Sequence, residues 1–215
     1  STSVQNTKKI NMYNQFAQVL LGYTSSTGDG IRKFESDLTL NGDAYMKEVF
    51  FLTFSRLLTK DQIKKGTFSL VLGTGSYAAS FAKQLTLSDS SASVSGEGTM
   101  NADGGDYAVL NGSDGHPTPY GVVFYQAGVA GQFLQTLNCS RFNNQQGEFN
   151  KEAALPTRNV DQSLTGSTIS SSCDALRRRV KNLSFNNTTQ INSRIFFCRV
   201  PHNKFNYSAN PSYLS

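Results

Sequence analysis

VFFLTFS, running from Val49 to Ser55, is aromatic and rich in strand-forming residues. It marks the point where the hydrophobic period of the chain switches from helical to β. Its density of apolar side chains predicts a central strand. Downstream, TFSLVL (Thr67 to Leu72) places Phe68, Leu70 and Leu72 on one face, and KQLTLS (Lys83 to Ser88) does the same with Leu85 and Leu87. Tyr107 to Leu110, Tyr120 to Gln126 and Val129 to Leu134 continue the pattern, with a turn at Ala127-Gly128. Val180 to Phe185 and RIFFCRV (Arg194 to Val200) are the last two expected strands. Short strands separated by frequent turns predict a mainly β fold, an antiparallel β-sandwich or jelly-roll-like domain.

Between the first two strands, Thr59-Lys60-Asp61-Gln62 has the form of a capping box, so TKDQIKK reads as a short helical turn closed by Gly66. Upstream, Ile10, Met12, Tyr13, Phe16, Val19 and Leu20 recur at helical spacing, after a cap at Asn6 or Thr7 and before Gly22. Such a large aromatic stripe needs a surface to cover it, either the chain's own β domain or a neighbouring subunit. TSSTGDG (Thr24 to Gly30) reads as a connection. The expected organisation is an N-terminal helical arm and linker over 1–30 and a β domain over 31–215. Residues 88–106 and 141–172 are polar and irregular, as long functional loops are.

Composition agrees with this class. Only 16% of the 215 residues are charged, whereas 26 Ser, 18 Thr and 18 Asn supply short polar groups suited to turns. Residues 1–150 carry 11 basic and 12 acidic side chains, and residues 151–215 carry 9 and 3, so the net +5 is a local excess. Arg177, Arg178, Arg179 and Lys181 supply most of it. No reading motif or base-stacking array accompanies them, so they read as a solvated face or half of a subunit interface, with no nucleic acid expected. No apolar run approaches the roughly 20 residues of a membrane span, and no membrane partner is expected. The chain begins with Ser1, without a signal-peptide pattern, as a processed chain or a segment of a longer one would.

Sites for chemistry are sparse. Gly73-Thr74-Gly75-Ser76 lacks the third Gly of a dinucleotide loop and the Lys-Ser/Thr of a phosphate loop, and reads as a turn. Asn101, Asp103 and Asp106 around Gly104-Gly105 offer oxygen ligands for calcium, but no bidentate Glu follows at the required spacing. His116 lies beside Ser113 and Asp114 on one Pro-flanked loop, where a triad cannot form, and His202 is far from it in sequence. Cys139, Cys173 and Cys198 have neither metal nor disulfide spacing, and read as buried free thiols. No catalytic residue, cofactor or metal is expected.

The block NNTTQINSRIFFCRVPHNKFNYSANPSYLS (Asn186 to Ser215) resembles a segment of virion structural proteins from large contractile-tailed bacteriophages, notably of marine hosts and cyanobacteria. Residues 48–76 and 121–128 resemble further blocks of the same proteins in the same order, together about a third of the chain. The resemblance implies a non-enzymatic virion subunit, in the baseplate or tail, whose partners are other virion structural proteins in a multi-copy assembly. In such relatives the chain continues past the equivalent of Ser215. No catalytic residues come with the family. The interface expected from this reading joins the helix stripe (Met12, Tyr13, Phe16, Val19, Leu20), the basic segment (Arg177, Arg178, Arg179, Lys181) and the aromatic corner at Phe205 and Tyr207. The alternative is a carbohydrate- or host-receptor-binding tail module, with Tyr77, Tyr107, Tyr120 and Tyr125 as stacking platforms. Absence of Trp weighs against it.

Overall fold

The computed structural model describes residues 2–23, 30–35, 49–76, 78–92, 98–115, 119–133 and 168–199. In chain order these form helix α1 (Thr2–Leu21), strand β1 (Val49–Thr53), the helical turn α2 (Arg56–Thr59) and β2 (Gln62–Ile63). There follow β3 (Ser69–Ser76), β4 (Ala79–Ser88), β5 (Met100–Ala102), β6 (Gly105–Gly112), β7 (Gly121–Phe124) and β8 (Val129–Phe133). Helix α3 (Ile169–Arg177), β9 (Val180–Ser184) and β10 (Asn187–Thr188) complete the set.

All of the sheet pairings are antiparallel, and the main sheet runs β1-β8-β7-β6-β4-β3-β9, with β5 on β6. The mainly β, antiparallel fold with an N-terminal helix is therefore as the periodicity predicts. The sheet curls at one seam. There β4 and β6 pair only through Leu87 with Gly112 and Ser88 with Asn111, extended by Ser113, whose N–H donates to the Thr86 carbonyl at 2.9 Å. Gly112 lets the Tyr120 ring lie against the chain at this seam, because a Cβ there would meet that ring at 2.5 Å.

The two-residue alternation of the strands feeds two apolar clusters. On one face of the β1-β8-β7-β6 half, Val49, Phe51, Val122, Phe124 and Tyr107 pack against Ala17, Leu20 and Leu21 of α1 and against Phe34. On the other, Phe50, Leu52, Val123, Ala108 and Leu110 meet Leu70, Leu72, Leu85 and Leu87 from β3 and β4. The expected inward faces of both hairpin strands are thus observed.

Several local expectations give way. Among the described residues, the Val49–Thr53 strand lies at the end of the sheet, not in its centre. It is as apolar as a central strand because each face meets a different cluster; apolar density reports covered faces, not the number of flanking strands. The helical turn precedes the supposed capping box: the Ser55 hydroxyl accepts from Leu57 N–H at 3.3 Å, the turn ends at Lys60 with φ +57°, and Gln62–Ile63 is extended. Gly73 to Ser76 belongs to β3 itself, neither a turn nor a phosphate loop, and a register shift falls between Thr74 and Ser76. The 88–106 stretch contains β5 and its hairpin turn into β6. Residues 194–199 form no strand and are exposed.

Among the buried polar residues, Asp89 is the most deeply covered. Asp89 follows β4 at 1% exposure, and its carboxylate accepts from Gly66 N–H (2.8 Å), Phe68 N–H (2.9 Å) and the Tyr125 hydroxyl (2.8 Å). Burial first, then the bond and charge of Asp89, hold Tyr125 protonated far above the ordinary tyrosine range. Removing the carboxylate strands two backbone donors and one hydroxyl in an apolar surround. Asp89→Ala is expected to cost about 3–5 kcal/mol of unfolding free energy and Tyr125→Phe about 1–2 kcal/mol. Denaturant titration of both variants checks this, and equal effects would contradict it.

Candidate interaction surface

The N-terminal stripe divides between two environments. Tyr13, Phe16 and Leu20 face the chain's own sheet: Phe16 stacks on Phe51 with centroids 4.2 Å apart, and Tyr13 meets Phe34 edge-on at 5.9 Å. The Tyr13 hydroxyl accepts from Phe34 N–H at 3.1 Å, and burial pushes its pKa up to about 12. The surface these three side chains require is therefore intramolecular, and a neighbour is not needed to explain them. Met12 and Val19, with Val4 and Ile10, point outward, Val19 at 68% exposure.

The Asn101–Asp106 loop serves the same packing. The helix α1 ends at Gly22, whose φ of +77° suits glycine, and the Leu20 carbonyl accepts from Gly104 N–H at 2.9 Å. A Cβ on Gly104 would meet the Leu20 backbone at 2.8 Å. Asp106, the central candidate metal ligand, accepts instead from Lys65 Nζ at 2.7 Å and from Asn101 Nδ2 at 2.8 Å. The loop is a turn that seats a helix end. Among the described residues no group of three His, Cys, Asp or Glu could hold a metal ion.

The basic segment has a local structural cause. Arg177 ends α3 and Arg178 caps it, so positive charge lies at the negative end of the helix dipole. Arg177 also pairs with Asp174 at 3.0 Å, both side chains being solvated. The Arg179 carbonyl accepts from Gly73 N–H at 2.8 Å, and Lys181 Nζ donates to Gln84 Oε1 at 2.9 Å. These residues border β9, which among the described strands lies at the opposite end of the sheet from β1.

Tyr107, Tyr120 and Tyr125 are buried inside the domain, so no sugar can stack on them; Tyr77 lies outside the described residues. His116, His202, Phe205, Tyr207 and Cys139 also lie outside them. Cys173 and Cys198 are free as expected, but exposed rather than buried, one on the outer side of α3 and the other beyond β10.

Sequence reasoning missed one feature. After β9 the chain is fastened to the α2–β2 corner. Phe185 packs on Phe54 and Phe68, and Asn187 Nδ2 donates to the Leu58 carbonyl at 2.9 Å. Asn187 and Thr188 pair with Ile63 and Gln62, and Gln190 N–H donates to Asp61 Oδ2 at 2.6 Å. Residues 191–199 have no regular structure, and Ile191, Ile195, Phe196 and Phe197 are exposed, Ile191 at 91% and Phe197 at 93%. Leu57 and Leu58 of α2 stand exposed beside the anchor. Scattered exposed apolar residues are ordinary, but four large ones within seven positions are not. The strand periodicity of RIFFCRV was visible in the sequence; what could not be seen is that no described strand pairs with residues 194–199.

Comparisons with protein-family models, with curated proteins and with solved structures return no match for this chain.

Asp106 gives a check on the loop. Its hydrogen bond from Lys65, then that from Asn101, hold its carboxyl below the usual range. A folded-state pKa below the unfolded one contributes stability above the unfolded value of about 3.9, lost as pH falls through the folded value. Asp106→Asn should therefore lower stability at pH 7 and converge with the parent chain at the acid end of a pH–stability series. A constant difference down to pH 2 would contradict this.

Proposed function

We propose that this chain is a structural subunit of a bacteriophage virion, acting in tail or baseplate assembly through protein–protein interfaces. The observation that carries the reading is the anchored, exposed apolar segment 191–199. Its base is held by side-chain and backbone bonds, while its large apolar groups lie exposed. Each such side chain gains about 1.5–3 kcal/mol when covered, which favours a partner over solvent. The same stretch lies within the Asn186–Ser215 block that resembles contractile-tailed phage virion proteins. The two lines of support are independent, one from packing and one from sequence likeness.

The outward residues of α1 (Met12, Val19) and the basic border of β9 extend the surface open to neighbours. The carbohydrate-binding alternative loses three of its four named tyrosines to the core. The role is one of assembly, with other virion proteins as partners and the virion as location.

Phe197→Asp tests the reading. This side chain is almost fully exposed, so the variant is expected to keep the parent melting temperature within about 1–2 °C. Supplied in cells producing the particles, it should be depleted at least tenfold from purified virions, measured by quantitative mass spectrometry. Incorporation at the parent level would overturn the assembly role of the segment.

A further inference from the structure

We infer that segment 191–199 adds as a β-strand along the side of β1 that no described strand occupies, in a second copy of this chain. The inference rests on the assembly reading above and names its partner.

The donor is suited to strand addition. From Arg194 to Arg199 the residues are β-branched, aromatic or polar, with no proline or glycine, and extended backbone would put Ile195 and Phe197 on one face and Phe196 and Cys198 on the other. The anchor at Asn187–Gln190 fixes where the segment leaves the domain but leaves its own backbone unpaired among the described residues.

The acceptor is the edge of β1. Among the described residues, β1 pairs with β8 on one side and with no strand on the other. Its two faces are already roofed, Phe51 by Phe16 and Tyr13 of α1 and Phe50 and Leu52 by the main core. A strand laid along this edge would find apolar layers above and below it, which suits a donor apolar on both faces. That is the geometry of β-augmentation, in which backbone bonds supply affinity and alternate side chains fill the flanking layers.

Charge selects between the two ends of the sheet. Segment 191–199 holds Arg194 and Arg199 and no acid. The β9 end carries Lys181 and follows Arg177, Arg178 and Arg179, so a donor there would meet like charge. Val49–Thr53 has no charged residue. Donor and acceptor lie on different parts of one chain, so each copy offers one of each, a head-to-tail arrangement that extends or closes into a ring.

The test uses the full chain with Cys139→Ser and Cys173→Ser, leaving Cys198 as the reporter. Val49→Cys or Thr53→Cys is added at either end of β1, with Lys181→Cys on β9 as the comparison. Under mild oxidation a between-chain disulfide from Cys198 to position 49 or 53 is expected, the first for antiparallel and the second for parallel addition. Light scattering of the parent chain should show association rising with concentration. Both Phe197→Asp and Phe196→Pro should weaken it roughly tenfold or more. The proline change keeps the surface apolar and removes a backbone donor, so parent-level association by Phe196→Pro would overturn strand addition. A within-chain disulfide, a bond to position 181 instead, or a monomer at all concentrations would also overturn it. A monomeric parent whose Phe197→Asp variant is still lost from virions would overturn self-pairing and leave the assembly role standing. A between-chain disulfide with normal virion incorporation of Phe197→Asp would do the reverse.

Discussion

The Asp89 carboxylate joins three separate parts of the chain at one buried point: the Gly66–Phe68 entry to β3, the end of β4, and Tyr125 at the end of β7. Three donors meet the carboxylate, so neither of its buried oxygens is left without a hydrogen bond. The bonds also fix where the two halves of the curled sheet lie relative to each other, since β3 and β4 belong to one half and β7 to the other. Their direct ladder is short, limited to the β4–β6 seam. Hydrophobic burial supplies the driving force for closure, but it is non-directional. The carboxylate supplies the direction.

Around that point the architecture has two apolar layers instead of one. Strands β1, β8, β7 and β6 form the shared wall, with the core between the sheet halves on one side and α1 on the other. The turn at Asp103–Gly105 seats the end of the helix, and Lys65 braces the turn through Asp106. Polar residues that look in sequence like ligands thereby act as the frame for a helix. The same wall explains why β1 can be both an edge strand and strongly apolar.

Much of this was legible in the sequence where residues interact with near neighbours. The alternation at Phe68, Leu70 and Leu72, and at Leu85 and Leu87, reports a buried face directly, and both faces are buried as read. The Ala127-Gly128 turn and the end of α1 at Gly22 follow from local backbone needs. What was not legible depends on distant partners. Strand-forming residues in RIFFCRV encode readiness to pair without encoding the partner. The tyrosines at 107, 120 and 125 could stack on ligands or fill a core, and only their neighbours decide. The placement of β1 at the end of the described sheet, the buried Asp89 and the bracing of Asp106 by Lys65 all arise from residues 21 to 84 positions apart, which no local pattern records.

The pairing of β1 with β8 has a consequence for how the chain reaches this state during synthesis. Val49 meets Phe133 and Thr53 meets Val129, so each contact waits for 76 to 84 further residues. At about 5–20 residues per second, Phe50 and Phe51 emerge from the ribosome roughly 4–17 s before their partner strand exists. Helix α1 is in the same position, because its docking surface includes Val122, Phe124 and Val129. For that interval the nascent chain carries an aromatic segment and an apolar helix with nothing to cover them. Slowed elongation or a shortage of holding chaperones would therefore act on this amino-terminal third, long before the finished domain has an edge to offer.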